Sequence, residues 1–129
     1  MIITEILARN ARMYGDEIAL IERDEVNGTR RSITWNEFDS ISSRIANALI
    51  SRGVKKGDKI IHLMINSLEW LPIYFGILRT GAWAVPLNFR FMSKEILHCA
   101  QIAEAKAFFF GKEFIDRVEK IKDDLKTIE

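Results

Sequence analysis

The chain has 129 residues and a mass of 14.9 kDa, with 19 Lys and Arg against 18 Asp and Glu, a formal charge of +1. A hydrophobic content of 48% supplies a packed core and excludes a disordered tail, while a pI near 7.9 gives no field that favours nucleic acid or an anionic membrane as the partner. The single cysteine, Cys99, excludes an internal disulfide, and the longest uncharged stretches, 70–78 and 80–89, fall far short of the roughly 20 apolar residues that span a bilayer.

At the N-terminus Glu5 interrupts any basic-then-apolar leader, so a cytoplasmic location is expected. Residues Thr4–Met13 read as a helix with Ile6, Leu7 and Ala11 inward. Two strands, Ile18–Arg23 and Thr29–Ile33, flank Asn27-Gly28, the pair that best tolerates the positive φ angles of a tight hairpin. Thr34-Trp35-Asn36-Glu37 is a capping box that opens a helix running to Gly53, with Phe38, Ile41, Ile45, Ala48 and Leu49 on one stripe.

Three short apolar runs follow, Lys59–Ile65, Trp83–Leu87 and Ala107–Phe110, each between helices. The first is apolar on both faces but for His62, as a parallel strand covered on both sides should be. The alternation predicts an α/β fold: a short N-terminal β-hairpin, then a parallel βαβαβα unit. Residues 1–35 carry the first helix and the hairpin, and 36–129 the sheet unit. The intervening helices are expected from Asn66 or Ser67 to Thr80, over Ser93–Ala103, and over Glu113–Lys126 with Phe114, Val118, Ile121 and Leu125 inward.

Leu68–Leu78 is apolar all round with one charge, a pattern that demands cover on every side. Each large side chain left bare there forfeits roughly 1.5–3 kcal/mol, so cover from outside the 129 residues, or self-association through 68–78, is expected. Pro72 predicts a kink, or a helix that begins nearer the proline.

Catalytic apparatus is hard to find. Gly76 and Gly81 have P-loop separation, but Ala82-Trp83 stand where Lys and Ser/Thr must be, and Gly53–Lys59 reads as a solvated helix-to-strand turn. His62 reads as a buried histidine with one hydrogen-bond partner. His98 and Cys99 point about 100° apart on a helix, which does not suit one metal, and Cys99 has no flanking base to activate it. Asp116, Glu119, Asp123 and Asp124 interleave with Arg117, Lys120, Lys122 and Lys126 as a solvated helix face. No catalytic or metal-ligating residue is therefore assigned.

An ordered series of segments does carry a resemblance. Ile33–Phe38, Ile45–Leu49, Gly53–Ile60, Asn66–Trp70, Gly81–Asn88 and Ser93–Ile96 resemble, in order and spacing, the N-terminal region of adenylate-forming enzymes, among them acyl-CoA synthetases, luciferase and peptide-synthetase adenylation domains. Pro86–Phe91 is most like fatty- and aryl-acyl-CoA ligases. The resemblance implies part of the N-terminal domain of the acyl-CoA synthetase fold. It also implies a parent enzyme that uses ATP and Mg²⁺ to convert a carboxylic acid, with a fatty acid the expected class, into an acyl adenylate, and then forms the CoA thioester.

Arg90 matches an arginine that lies near the nucleotide phosphate of CoA in some of these ligases; it is either that contact or a surface-loop arginine. The family's ATP loop and catalytic lysine follow this region and are absent here, so no activity of the chain alone and no tight binding of ATP, Mg²⁺ or CoA is expected. The chain is expected to be a piece of a longer polypeptide. The alternative is a free-standing α/β binding or regulatory module that oligomerises through Trp70, Ile73, Tyr74 and Ile77; a flavodoxin-like nucleotide binder is a remote third.

Overall fold

Thr34 sets the start of the longest helix. Its hydroxyl accepts from the Glu37 amide at 3.2 Å while the Glu37 carboxylate accepts from the Thr34 amide at 2.9 Å, so α2 (Trp35–Ser51) begins with the reciprocal cap that the sequence predicts. In the computed structural model, which describes residues 1–128, α2 is preceded by α1 (Ile3–Tyr14) and an antiparallel hairpin of β1 (Ile18–Asp24) and β2 (Thr29–Thr34). It is followed by β3 (Lys59–Leu63), α3 (Trp70–Arg79), β4 (Trp83–Pro86), α4 (Ser93–Ala103), β5 (Ala107–Phe110) and a short α5 (Ile115–Glu119).

The last three strands form a parallel sheet in the order β4–β3–β5. Ile60, Ile61, His62 and Leu63 of the central strand are all 0% exposed. Side-chain alternation divides them between two cores. Ile61 and Leu63 pack with Ile96 and Ala100 of α4 and with Phe114 and Ile121, whereas Ile60 packs with Leu49 of α2, Val54 and Ile77 of α3. Helices thus cover both faces, and the α/β architecture is the one expected.

Three local features differ from expectation. The hairpin does not turn tightly on Asn27-Gly28: Asp24 pairs with Thr29, leaving residues 25–28 as the loop. The Asp24 carboxylate organises that loop, accepting from the Val26 amide at 3.0 Å, the Asn27 amide at 3.2 Å and the Asn27 side chain at 2.7 Å. Only Gly28 needs a positive φ, at 66°. The bonds from Asn27 also hold the Asp24 carboxyl below the usual carboxylate range.

The expected helix over Glu113–Lys126 is broken into a 3₁₀ turn at Lys112–Phe114, α5, and a second 3₁₀ turn at Lys122–Asp124. Phe114, Val118 and Ile121 are buried as the stripe requires. The break lets the chain curl, so that Leu125 and Ile128 also reach the core and the Thr127 hydroxyl donates to the Ala105 carbonyl at 2.6 Å. A straight helix would forfeit those contacts.

The apolar segment is covered more fully than its composition suggests. α3 begins at Trp70, which puts Pro72 in the first turn, where its missing N–H costs nothing. The buried Ser42 hydroxyl of α2 donates to the Pro72 carbonyl at 3.1 Å. Arg79 closes the other end, donating to the Asp39 carbonyl and the Ser43 hydroxyl and pairing with the Asp39 carboxylate. Every large apolar side chain of α3 is buried or half-buried, and Ile77, 0% exposed, is closed to a second chain, which removes it from the expected oligomer surface. The bare large hydrophobics lie elsewhere, Trp83 and Ile102 among them.

The close approach of α2 and α3 depends on Gly76, where an added Cβ would stand 2.6 Å from Ile45 Cγ2 and 2.7 Å from Ile45 Cβ. Gly76→Ala is expected to lower stability by about 1–3 kcal/mol through overpacking, read as a lower urea midpoint at an unchanged m-value.

Candidate functional site

Ligands of open parallel sheets gather beyond the carboxyl ends of the strands, and here that end of β4 leads into residues 87–92. The Leu87 amide still bonds to the His62 carbonyl at 3.0 Å, after which the chain leaves the sheet. Asn88 folds the turn: its side-chain oxygen accepts from the Arg90 amide at 2.9 Å and its carbonyl from the Phe91 amide at 3.0 Å. Arg90 is exposed, with its guanidinium carbon 5.5 Å from the centre of the Phe89 ring. An exposed guanidinium on an ordered turn suits a phosphate, which it can engage through two parallel hydrogen bonds.

The turn is held from below by Arg117 of α5, whose Nη1 donates to the Phe89 carbonyl at 2.7 Å and to the Phe91 carbonyl at 3.0 Å. Its guanidinium carbon lies 5.2 Å from the centre of the buried Phe114 ring, and its own carbonyl accepts from the Ser93 hydroxyl at 2.7 Å. The sequence places Arg117 on a solvated charged face. Only the fold shows that it bridges two elements, and no local signal in the sequence marks it.

His62 occupies the position expected of it. Its Nε2 lies 3.0 Å from the Trp70 carbonyl, an acceptor only, so the neutral ring carries its hydrogen there. The ring lies 4.5 Å from that of Trp70. Burial pushes its pKa below the ordinary value. Nδ1 has no hydrogen-bond partner among the described residues. His98 is exposed and Cys99 half-buried, and among the described residues no group of three or more His, Cys, Asp or Glu could hold a metal ion.

A second polar cluster ties the hairpin to the segment before α3. Arg31 donates to Glu22 at 2.7 Å and to Glu69 at 2.8 and 3.2 Å, and Glu22 accepts from the Leu68 amide at 3.0 Å. Arg31 keeps both carboxyls below their usual range. The cluster faces water, where such pairs fasten rather than react. A groove of about 650 Å³ between α2 and β5 is lined mainly by apolar side chains, among them Ile45, Leu49, Val54, Phe108 and Phe109. Among the described residues no helix is long and apolar enough to cross a membrane.

These features define a scaffold with one cationic turn at the carboxyl end of its sheet, and comparison with known proteins gives the scaffold its family. The sequence pattern of the family described as AMP-binding enzyme matches residues 7–129, and the chain belongs to that family. It is 38% identical over 95% of its length to a 3-hydroxybenzoate–CoA/4-hydroxybenzoate–CoA ligase of Thauera aromatica, of which it covers 22%. It is 28% identical over 91% of its length to a crotonobetaine/carnitine–CoA ligase of Salmonella typhimurium, again covering 22%.

Among solved structures, an anthranilate CoA ligase in complex with anthranoyl-AMP matches 98% of this chain at a TM-score of 0.88 and 27% identity, the match covering 23% of that protein. A Mycobacterium tuberculosis fatty acyl CoA synthetase matches 97% at a TM-score of 0.85 and 25% identity, with 25% of that protein covered. The chain thus spans between a fifth and a quarter of these relatives.

Because the folded state holds His62 neutral, the unfolded chain binds more protons below about pH 6.5. Stability is expected to be flat with respect to His62 above that pH and to fall below it by at most about 1.4 kcal/mol per pH unit. Urea titrations between pH 7.5 and 5 check this, and His62→Phe should remove that contribution to the slope.

Proposed function

We propose that these residues are the N-terminal part of an ATP-dependent acid–CoA ligase. In that reaction a carboxylate oxygen attacks the α-phosphorus of ATP, the bond to the β-phosphate oxygen breaks, and pyrophosphate leaves. The CoA sulfur then attacks the acyl carbon of the adenylate, and AMP leaves with the electron pair of the broken C–O bond. The observation that carries this reading is the likeness, along nearly the whole chain, to a hydroxybenzoate–CoA ligase.

The part assigned to these residues is support and binding. They form the sheet from whose carboxyl end the Arg90 turn projects, and Arg90 contacts the nucleotide phosphate of CoA. Among the described residues no group of three or more His, Cys, Asp or Glu stands ready for a metal ion, and the Mg²⁺ that the family implies would arrive on the phosphates of ATP. The charge that builds on phosphate and carbonyl oxygens needs cationic and backbone donors, which the family resemblance places in later segments. The 129 residues by themselves are therefore inactive.

The likeness of Pro86–Phe91 to fatty- and aryl-acid ligases leaves both acids as substrates to test, and the relative named for hydroxybenzoates supports the aryl acid. Acid-dependent release of pyrophosphate from ATP tests the reading, with 3-hydroxybenzoate and a long-chain fatty acid as alternative substrates. Release is expected from the polypeptide of the complete reading frame and none from the 129-residue chain. Release by the short chain, or none by the complete polypeptide with either acid, overturns it.

A further inference from the structure

We propose that Arg117 is a positioning residue for the Arg90 turn: by donating to the carbonyls on both sides of Arg90, it holds the turn in the shape that presents the Arg90 guanidinium to a phosphate. The inference rests on the reading of Arg90 as a CoA phosphate contact.

The geometry is specific. One nitrogen, Nη1, has two hydrogens, and they go to the Phe89 carbonyl at 2.7 Å and the Phe91 carbonyl at 3.0 Å, the residues immediately before and after Arg90. A guanidinium is planar, so fixing its plane fixes both acceptors together. That plane is set by the core: the guanidinium lies 5.2 Å from the centre of the Phe114 ring, and Phe114 is 2% exposed. The backbone of Arg117 is itself tied to the first residue of α4 through the Ser93 hydroxyl. The turn therefore refers its position to the buried face of the sheet rather than to solvent.

The test uses the polypeptide of the complete reading frame, selectively labelled, with amide exchange and ligand titration both read by NMR. In Arg117→Met, exchange at the Arg90 and Phe91 amides should quicken about tenfold, while Ile60 and Ile61 in β3 stay protected. Arg117→Lys, which keeps the charge and the donors but not the plane, should fall between Met and wild type. CoA at millimolar concentration should shift the Arg90 guanidinium signal in wild type and much less in Arg117→Met, and pantetheine, which lacks the nucleotide, should shift neither.

Unchanged exchange at Arg90 and Phe91 overturns the positioning role. So does a loss of protection that reaches Ile60 and Ile61 in both variants, since Arg117 would then be a prop of the core. An equal CoA shift in wild type and Arg117→Met likewise overturns it. If CoA shifts nothing in wild type while the exchange effect holds, the reading of Arg90 fails and the positioning of the turn by Arg117 stands.

Discussion

The structure depends on the burial of one strand from both sides. β3 places Ile61 and Leu63 into the core with α4, Phe114 and Ile121, and Ile60 into the core with α2 and α3. Each of these side chains contributes about 1.5–3 kcal/mol by leaving water. That only works if helices cover both faces, which requires β3 to be central and its neighbours β4 and β5 to be reached by helical crossovers. His62 shares the apolar environment of its neighbours. Its bond to the Trp70 carbonyl links the strand to the first turn of α3, while burial keeps the ring neutral.

From this strand the cationic turn acquires its place. The Leu87 amide takes the last sheet bond from the His62 carbonyl, Asn88 reverses the chain, and Arg90 projects where the strands end. Rigid elements flank this short loop, an arrangement that suits binding. In the proposed division of labour these residues supply scaffold and a phosphate contact, and other parts of a ligase supply the chemistry.

Much of the fold is legible in local patterns because local physics decides it. Thr34 and Glu37 cap each other within four consecutive residues, so the start of α2 follows from adjacent side chains. The apolar run that begins at Ile60, interrupted only by His62, marks a doubly covered strand, and Pro72 marks a first turn. Asn27-Gly28 misleads because Asp24, three residues earlier, captures the loop amides and outweighs the turn preference of the pair. The 114–125 stripe correctly names the inward residues Phe114, Val118 and Ile121, yet not the break between them, since the curl is stabilised by Thr127 reaching Ala105, 22 residues away.

By itself the sequence determined the alternation of helices and strands, most of their inward residues (though Ile6 and Ala48, read as inward, are exposed) and the family likeness, because capping, periodicity and turn residues act over a few positions at a time. The tertiary structure alone decided that α2 covers the apolar α3, that Arg31 fastens the hairpin to Glu69, and that Arg117 supports the turn of Arg90. Those interactions join residues 26 or more positions apart. Which charged side chain meets which carbonyl over such a span is set by how helices dock on the sheet, and no short window of residues carries that information.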